Sequence, residues 1–373
     1  MRFNSMIQIF LVGMVLTLLL NCGGGSEDNS NSSSLISPAS TSTTSTTTGT
    51  TPSIIDTAPQ NYLGVALVLD SAGENDNGFN QLALVGARQA TAQTENVVFD
   101  YVVAQPTDNY SDILEKIINS GYDLIITLGL PMAEATAQVA KIHPKIYFVI
   151  IDVRYDSYQT LPNVASVMFA EDQMGYLAGI LAACMTTSQI IGSVAGGENI
   201  ANTRLLQGFQ NGVRSVNLFT TMLHQTINEA EDFIKGRQYA ESFILQGADV
   251  IFGAGGQAGN GALEAAAAAG TTGLKAIGVN VDQYFTVPEK VGRYLMTSAI
   301  KRVEVATAQM VQEFAKNQQV KSGVYYFSVA DQGVGLAPYH DWETQVFPEC
   351  KQRVEQAQQN LVEGKINTGV ILQ

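Results

Sequence analysis

Two doubly wound α/β lobes, each a parallel sheet with helices on both faces, are the architecture this sequence predicts. Three observations carry the prediction. Short apolar runs alternate with helix-length segments from about residue 61 to residue 316. The runs are apolar throughout, as expected of strands buried on both faces. The alternation also occurs as two consecutive series of similar length, which suggests two lobes.

In the first series, LGVALVL (residues 63–69) is a buried strand, followed by a helix over 80–92, a strand over 97–103 and a helix over 112–120. DLIITL (123–128) is the third strand. Residues 131–142 form a helix with Pro131 in its first turn, where a missing N–H costs nothing. IYFVII (146–151) is a further strand. The second series begins with a helix over 172–185 and a strand over 190–195. The helix over 202–216 places Leu205, Leu206, Phe209, Val213 and Val216 on one face. Then come a strand over 219–225, a helix over 229–245, a strand over 249–252 and an Ala-rich helix over 259–269. Strands over 274–279 and 293–298 and a helix over 301–316 complete the series.

Composition supports two cores. The chain has 373 residues, 46% of them apolar and only 14% charged, which argues against disorder over most of its length. A formal net charge of -14 argues against nucleic acid, whose phosphates would repel the surface. The three cysteines form no CxxC or Cys/His cluster, and His143, His224 and His340 lack ligand spacing, so neither a metal nor a cofactor is expected. There is no GxSxG motif and no P-loop, and the chain reads as a binding protein, not an enzyme. Cys184 reads as a small buried residue of an apolar run. A Cys184–Cys350 bridge is compatible with an oxidising compartment, but nothing in the spacing favours it.

Residues 6–20 are an apolar stretch after a single Arg2, too short to span a bilayer and suited to a signal peptide. It ends at Leu19-Leu20-Asn21-Cys22, which resembles a bacterial lipobox and predicts lipid on Cys22 and attachment to the extracytoplasmic face of the cell membrane. Asn21 departs from the usual Gly or Ala; the alternative is an ordinary secretory signal with an incidental cysteine. The Gly/Ser/Thr-rich stretch 23–60 reads as a flexible tether. The predicted layout is therefore 1–22 signal peptide, 23–60 tether, 61–168 plus 299–320 one lobe, and 169–298 plus 321–373 the other.

Ligands of open α/β sheets sit beyond the carboxyl ends of the strands. Asp70 ends the first strand and leads into a polar loop that holds Phe79. That ring could stack on a planar ligand or simply anchor the helix start in the core, and Asp76 or Asn77 could cap that helix. Gly129, after the third strand, permits close backbone approach. The run from Gly253 to Gly261, including Gly256, opens a helix whose N–H groups can meet a polar ligand. Asp282, just past a strand, suits hydroxyl groups or merely a turn; Lys301, at the predicted start of a helix, suits a ligand or solvent. Gly253-x-Gly255-x-x-Ala258 also fits a loose dinucleotide fingerprint, although export argues against a nicotinamide enzyme.

Several separated stretches bear a further resemblance. They are Asp76-Asn77-Gly78-Phe79-Asn80-Gln81, Gly121-Tyr122-Asp123-Leu124-Ile125-Ile126, Gly175-Tyr176-Leu177-Ala178-Gly179, Gly247-Ala248-Asp249-Val250-Ile251-Phe252, Gly259-Asn260-Gly261, Gly278-Val279-Asn280-Val281-Asp282-Gln283 and Thr297-Ser298-Ala299-Ile300-Lys301-Arg302. In this order, the body is similar to the basic membrane protein family, the PnrA-like purine nucleoside-binding lipoproteins. The resemblance implies a type I periplasmic-binding-protein fold with a three-crossover hinge. It also implies a nucleoside held between the lobes without a chemical step and an ABC permease that receives it. By position, Phe79 would stack on the base, Asp70 and Asn80 would contact the base or its surroundings, Asp282 and Lys301 would hold the ribose, and Phe169 would be a second aromatic. Gln257-Ala258 replaces the family's usual Gly-Thr in the glycine-rich run, and Asn280 replaces a frequent Asp. A surface sensor or adhesin that keeps the fold is the alternative function.

Overall fold

The computed structural model describes residues 56–370, so the predicted signal peptide, Cys22 and the tether up to residue 55 lie outside the described residues. Apolar runs become two six-stranded sheets, with strands numbered here in chain order. The first sheet contains β1 (Leu63–Leu69), β2 (Val97–Val103), β3 (Leu124–Leu128), β4 (Tyr147–Ile151), β5 (Val164–Phe169) and β11 (Gly323–Phe327). Their order is β11-β5-β4-β3-β1-β2, and every pairing is parallel. The second contains β6 (Ile190–Gly196), β7 (Thr221–Ile227), β8 (Val250–Ala254), β9 (Lys275–Asn280), β10 (Leu295–Lys301) and β12 (Val334–Leu336), in the order β12-β10-β9-β8-β6-β7. Only the short edge strand β12 runs antiparallel. Helices cover both faces, so a central strand such as β1 can be apolar at every position.

In the first lobe, α1 (Phe79–Ala92) packs on α9 (Val303–Asn317), and α2 (Tyr110–Asn119) packs on α3 (Ala133–Ile142). In the second, α4 (Glu171–Met185) packs on α5 (Ile200–Val216), and α6 (Phe233–Leu245) on α7 (Gly256–Ala269). A single turn, α8 (Glu289–Gly292), precedes β10, and α10 (Pro348–Val362) lies against α4. The α4–α5 crossing is close because both helices present glycine. A Cβ added at Gly175 or Gly208 would stand 2.2 or 2.1 Å from a backbone oxygen of the other helix, and one at Gly179 or Gly212 2.1 Å from one.

The structure extends or corrects the sequence reading at several points. Strands β5, β11 and β12 were not predicted. Residues 323–327, assigned by sequence to the second lobe, pair with β5 in the first sheet, where Ala170 N–H also donates to Phe327 O at 3.0 Å. Lys301 is the last residue of β10 and not the start of a helix. Pairing of Ala299–Lys301 with β12 keeps that backbone extended until α9 begins at Val303. Cys184 and Cys350 form a disulfide, with Cα atoms 5.6 Å apart, because α10 folds back onto α4. The chain passes between the sheets three times: from β5 into α4, from β10 into α9 and from β11 to β12.

Candidate ligand-binding cleft

The carboxyl ends of the two sheets carry matching backbone features. Gly129 after β3 and Gly255 after β8, which occupy equivalent places in the two sheets, have φ of 71° and 77°. Asp152 after β4 and Asn280 at the end of β9 are likewise equivalent, with φ of 61° and 68°. Asx residues tolerate this left-handed region better than most side chains, and it turns the chain sharply at the strand end. Between these turns lies a cavity of about 570 Å³, lined among others by Phe79, Gly129, Asp152, Gly256, Asn280 and Lys301.

The Phe79 wall is built from the polar loop after β1. The Asp76 carboxylate accepts the backbone N–H groups of Gly78, Asn80 and Gln81 at 2.8, 2.9 and 3.0 Å, which caps α1. Asn80 is buried and donates to Asp70 Oδ1 at 2.8 Å and Gly73 O at 3.0 Å. Asp70 also accepts Ala72 N–H at 2.9 Å. Asp70 and Asn80 thus brace the loop from behind and do not line the cavity. Phe79, half-buried at the first position of α1, packs on the core and also borders the cavity.

A buried charge cluster forms the floor. Lys301 Nζ lies 2.9 Å from Asp152 Oδ2 and 2.9 Å from Glu171 Oε1, and Glu171 Oε2 is 3.8 Å from the Arg204 guanidinium. Burial alone would push the Lys301 ammonium down, but the Asp152 and Glu171 carboxylates outweigh it and hold the pKa above the ordinary lysine value. Lys301 stays a cation. Beneath it Phe169 is fully buried, its ring centroid 5.3 Å from Nζ, so Phe169 supports the lysine and does not line the cavity.

The second lobe supplies a polar wall that includes the Glu231 carboxylate and the amides of Asn260 and Gln283. Gln283 accepts Val279 N–H at 2.7 Å and donates to Asn260 Oδ1 at 2.8 Å, and both side chains reach the cavity. Asp282 does not line the cavity. Its Oδ2 lies 2.7 Å from His340 Nε2, and that imidazole stacks on Tyr284 with centroids 4.2 Å apart. The glycine-rich turn is accounted for by protein contacts. A Cβ at Gly253, Gly255 or Gly256 would come within 2.5 Å of the backbone oxygen of Gly259, Gly196 or Ala230.

Of the residues named from sequence, Phe79, Gly129, Gly256 and Lys301 are brought to one cavity, whereas Asp70, Asn80, Phe169 and Asp282 stand behind its walls. Cys22 lies outside the described residues. Asp152, Glu171, Asn260 and Gln283 were missed. Asp152 ends the IYFVII strand, so the strand-end argument applied to Asp70 would have found it. Nothing local marks Glu171, whose partner Lys301 lies far along the chain.

With this geometry in view, residues 64–373 match the family model for ABC transporter substrate-binding proteins, PnrA-like. The chain is 30% identical over 318 residues to a CD4+ T-cell-stimulating antigen of Listeria monocytogenes, covering 81% of this chain and 87% of that one. It is 27% identical to an ABC transporter nucleoside-binding protein, BmpA, of Lactococcus lactis, covering 82% and 88%. Basic membrane protein B of Borreliella burgdorferi is 29% identical, covering 72% and 79%. Among solved structures, an ABC transporter solute-binding protein from Aeropyrum pernix superposes with a TM-score of 0.66 at 24% identity, covering 82% of this chain and 92% of that one. One from Conexibacter woesei gives 0.67 at 20% identity, covering 82% and 98%. At these identities the superpositions speak for the fold alone.

Proposed function

The chain belongs to the PnrA-like family of ABC transporter substrate-binding proteins, and from that membership we propose that it captures a nucleoside between its lobes. In this reading it releases the nucleoside to an ABC permease, while lipid on Cys22 holds it at the extracytoplasmic face of the membrane. The observation that carries the ligand class is the pairing of Phe79 with the Lys301–Asp152 pair in one cavity. An aromatic ring suits a flat base, and a fixed ammonium–carboxylate pair suits the hydroxyls of a sugar. The Lactococcus relative is itself described as nucleoside-binding. Contacts from both lobes would favour the closed state, as in other hinged binding proteins.

A thermal-shift series of purine and pyrimidine nucleosides on the purified protein tests this reading. The expected result is a clear rise in Tm with at least one of them. Phe79→Ala should then weaken binding by about 1–3 kcal/mol, the usual worth of a base–aromatic stack, while its lost core packing lowers the unliganded Tm without unfolding the protein. Absence of a shift with every nucleoside would remove the ligand class.

A further inference from the structure

The cleft does not end at Lys301. A second chamber of about 730 Å³ adjoins the first and shares seven residues with it, among them Asp152, Glu231, Gly256, Asn280 and Lys301. Either chamber alone falls within the range of roughly 300–1,000 Å³ that encloses a small organic ligand. The walls particular to the second chamber include Met168, Met174, Leu205, Ile200 and Ala201. Met174 and Leu205 are fully buried parts of the core, and methionine adapts its flexible thioether to irregular apolar shapes.

The charges that reach this chamber are balanced in number, with Lys301, Arg204 and Arg154 against Asp152, Glu171 and Glu231, and its buried ones pair with each other. Lys301 is held by Asp152 and Glu171, and Arg204 lies beside Glu171. Arg154 stands at the exposed rim. A phosphate entering here would meet three carboxylates, Asp152, Glu171 and Glu231, and would have to compete with them for Lys301 and Arg204. An uncharged, apolar group would bury surface against the half-buried Met168 and Ala201 and the exposed Ile200, and it would need no counter-charge.

We infer that the cleft is shaped for a nucleoside whose sugar carries a compact apolar substituent in place of its primary hydroxyl. The base lies against Phe79, the ring hydroxyls meet Lys301 and Asp152, and the substituent fills the methionine-walled chamber. This deepens the nucleoside reading and rests on it. Substitution at the primary hydroxyl fits because it leaves both ring hydroxyls available to the ion pair.

Isothermal titration of the purified protein with three compounds tests the inference: adenosine, its derivative with a methylthio group replacing the primary hydroxyl, and its monophosphate at the same position, with the guanosine series in parallel. The derivative should bind at least about tenfold tighter than the plain nucleoside, as an added apolar group in a fitted pocket does, and the monophosphate more weakly. Ala201→Phe, at a half-buried position that lines only the second chamber, should abolish the derivative's advantage without changing the affinity for the plain nucleoside. A derivative no tighter than its parent overturns the inference and leaves the nucleoside proposal standing. An advantage that survives Ala201→Phe places the substituent elsewhere and also overturns it. Failure of every compound to bind would overturn the inference, and the thermal-shift series with pyrimidine nucleosides would then decide the nucleoside proposal.

Discussion

Lys301 is the residue on which the cleft turns. It comes from β10 in the second sheet, yet one of its partners, Asp152, follows β4 in the first, so the pair bridges the two lobes. The second partner, Glu171, is 1% exposed. Two carboxylates held this close are tolerable only with the ammonium present. Lys301→Met should therefore destabilise the protein by about 3–5 kcal/mol, the cost of leaving buried charge uncompensated, read from urea unfolding. Adding Glu171→Gln to Lys301→Met should restore part of that loss; no recovery would mean the lysine acts through packing alone. At this scale the sequence marked positions better than directions. Strand ends pointed to Asp70 and Asp282, but the Asp70 carboxylate turns to Asn80 and that of Asp282 to His340, a partner from the C-terminal segment. A side chain's direction depends on groups distant in sequence, which local spacing does not encode.

Elements were legible where burial imposed a long apolar run. The reading of residues 63–69 coincides with β1, because a central strand buried between helix layers has no polar face to blur the pattern, and that of 97–103 with β2, a half-buried edge strand that is still apolar at six of its seven positions. Strand β5 escaped although it is buried in mid-sheet; β11 and β12 escaped for want of length. They are edge strands of 5 and 3 residues, GVYYF and VGL, specified by the strand each lies beside and not by their own composition. The motif Gly175-Tyr176-Leu177-Ala178-Gly179 was visible as a family signature, and its physical reason is the α4–α5 crossing. A methyl group at Gly208 would stand 2.1 Å from Asp172 O, so only a shift of one helix could accommodate it. Gly208→Ala should cost about 1–3 kcal/mol, as overpacking in a tight core does, although alanine is the better helix former. A rise in Tm for this variant would show that the crossing has slack.

The described residues form two lobes joined by three passages of chain, and the disulfide among these residues respects that division. Cys184 on α4 and Cys350 on α10 both belong to the second lobe, so the bridge fastens the C-terminal helix and crosses no hinge. It closes a loop with a sequence separation of 166 residues. Removing such a bridge typically costs about 2–5 kcal/mol through the unfolded chain. Disulfides persist in oxidising compartments, which accords with an exported body. Stability and ligand capture should therefore separate in the variant Cys184→Ala/Cys350→Ala. Its Tm should fall, and its nucleoside affinity at a temperature well below the transition should match that of the parent. If the affinity fell in step with the Tm, α10 would have to set the position of α4, whose first residue, Glu171, holds Lys301. Lobe stability and cleft geometry would then be one property of the fold.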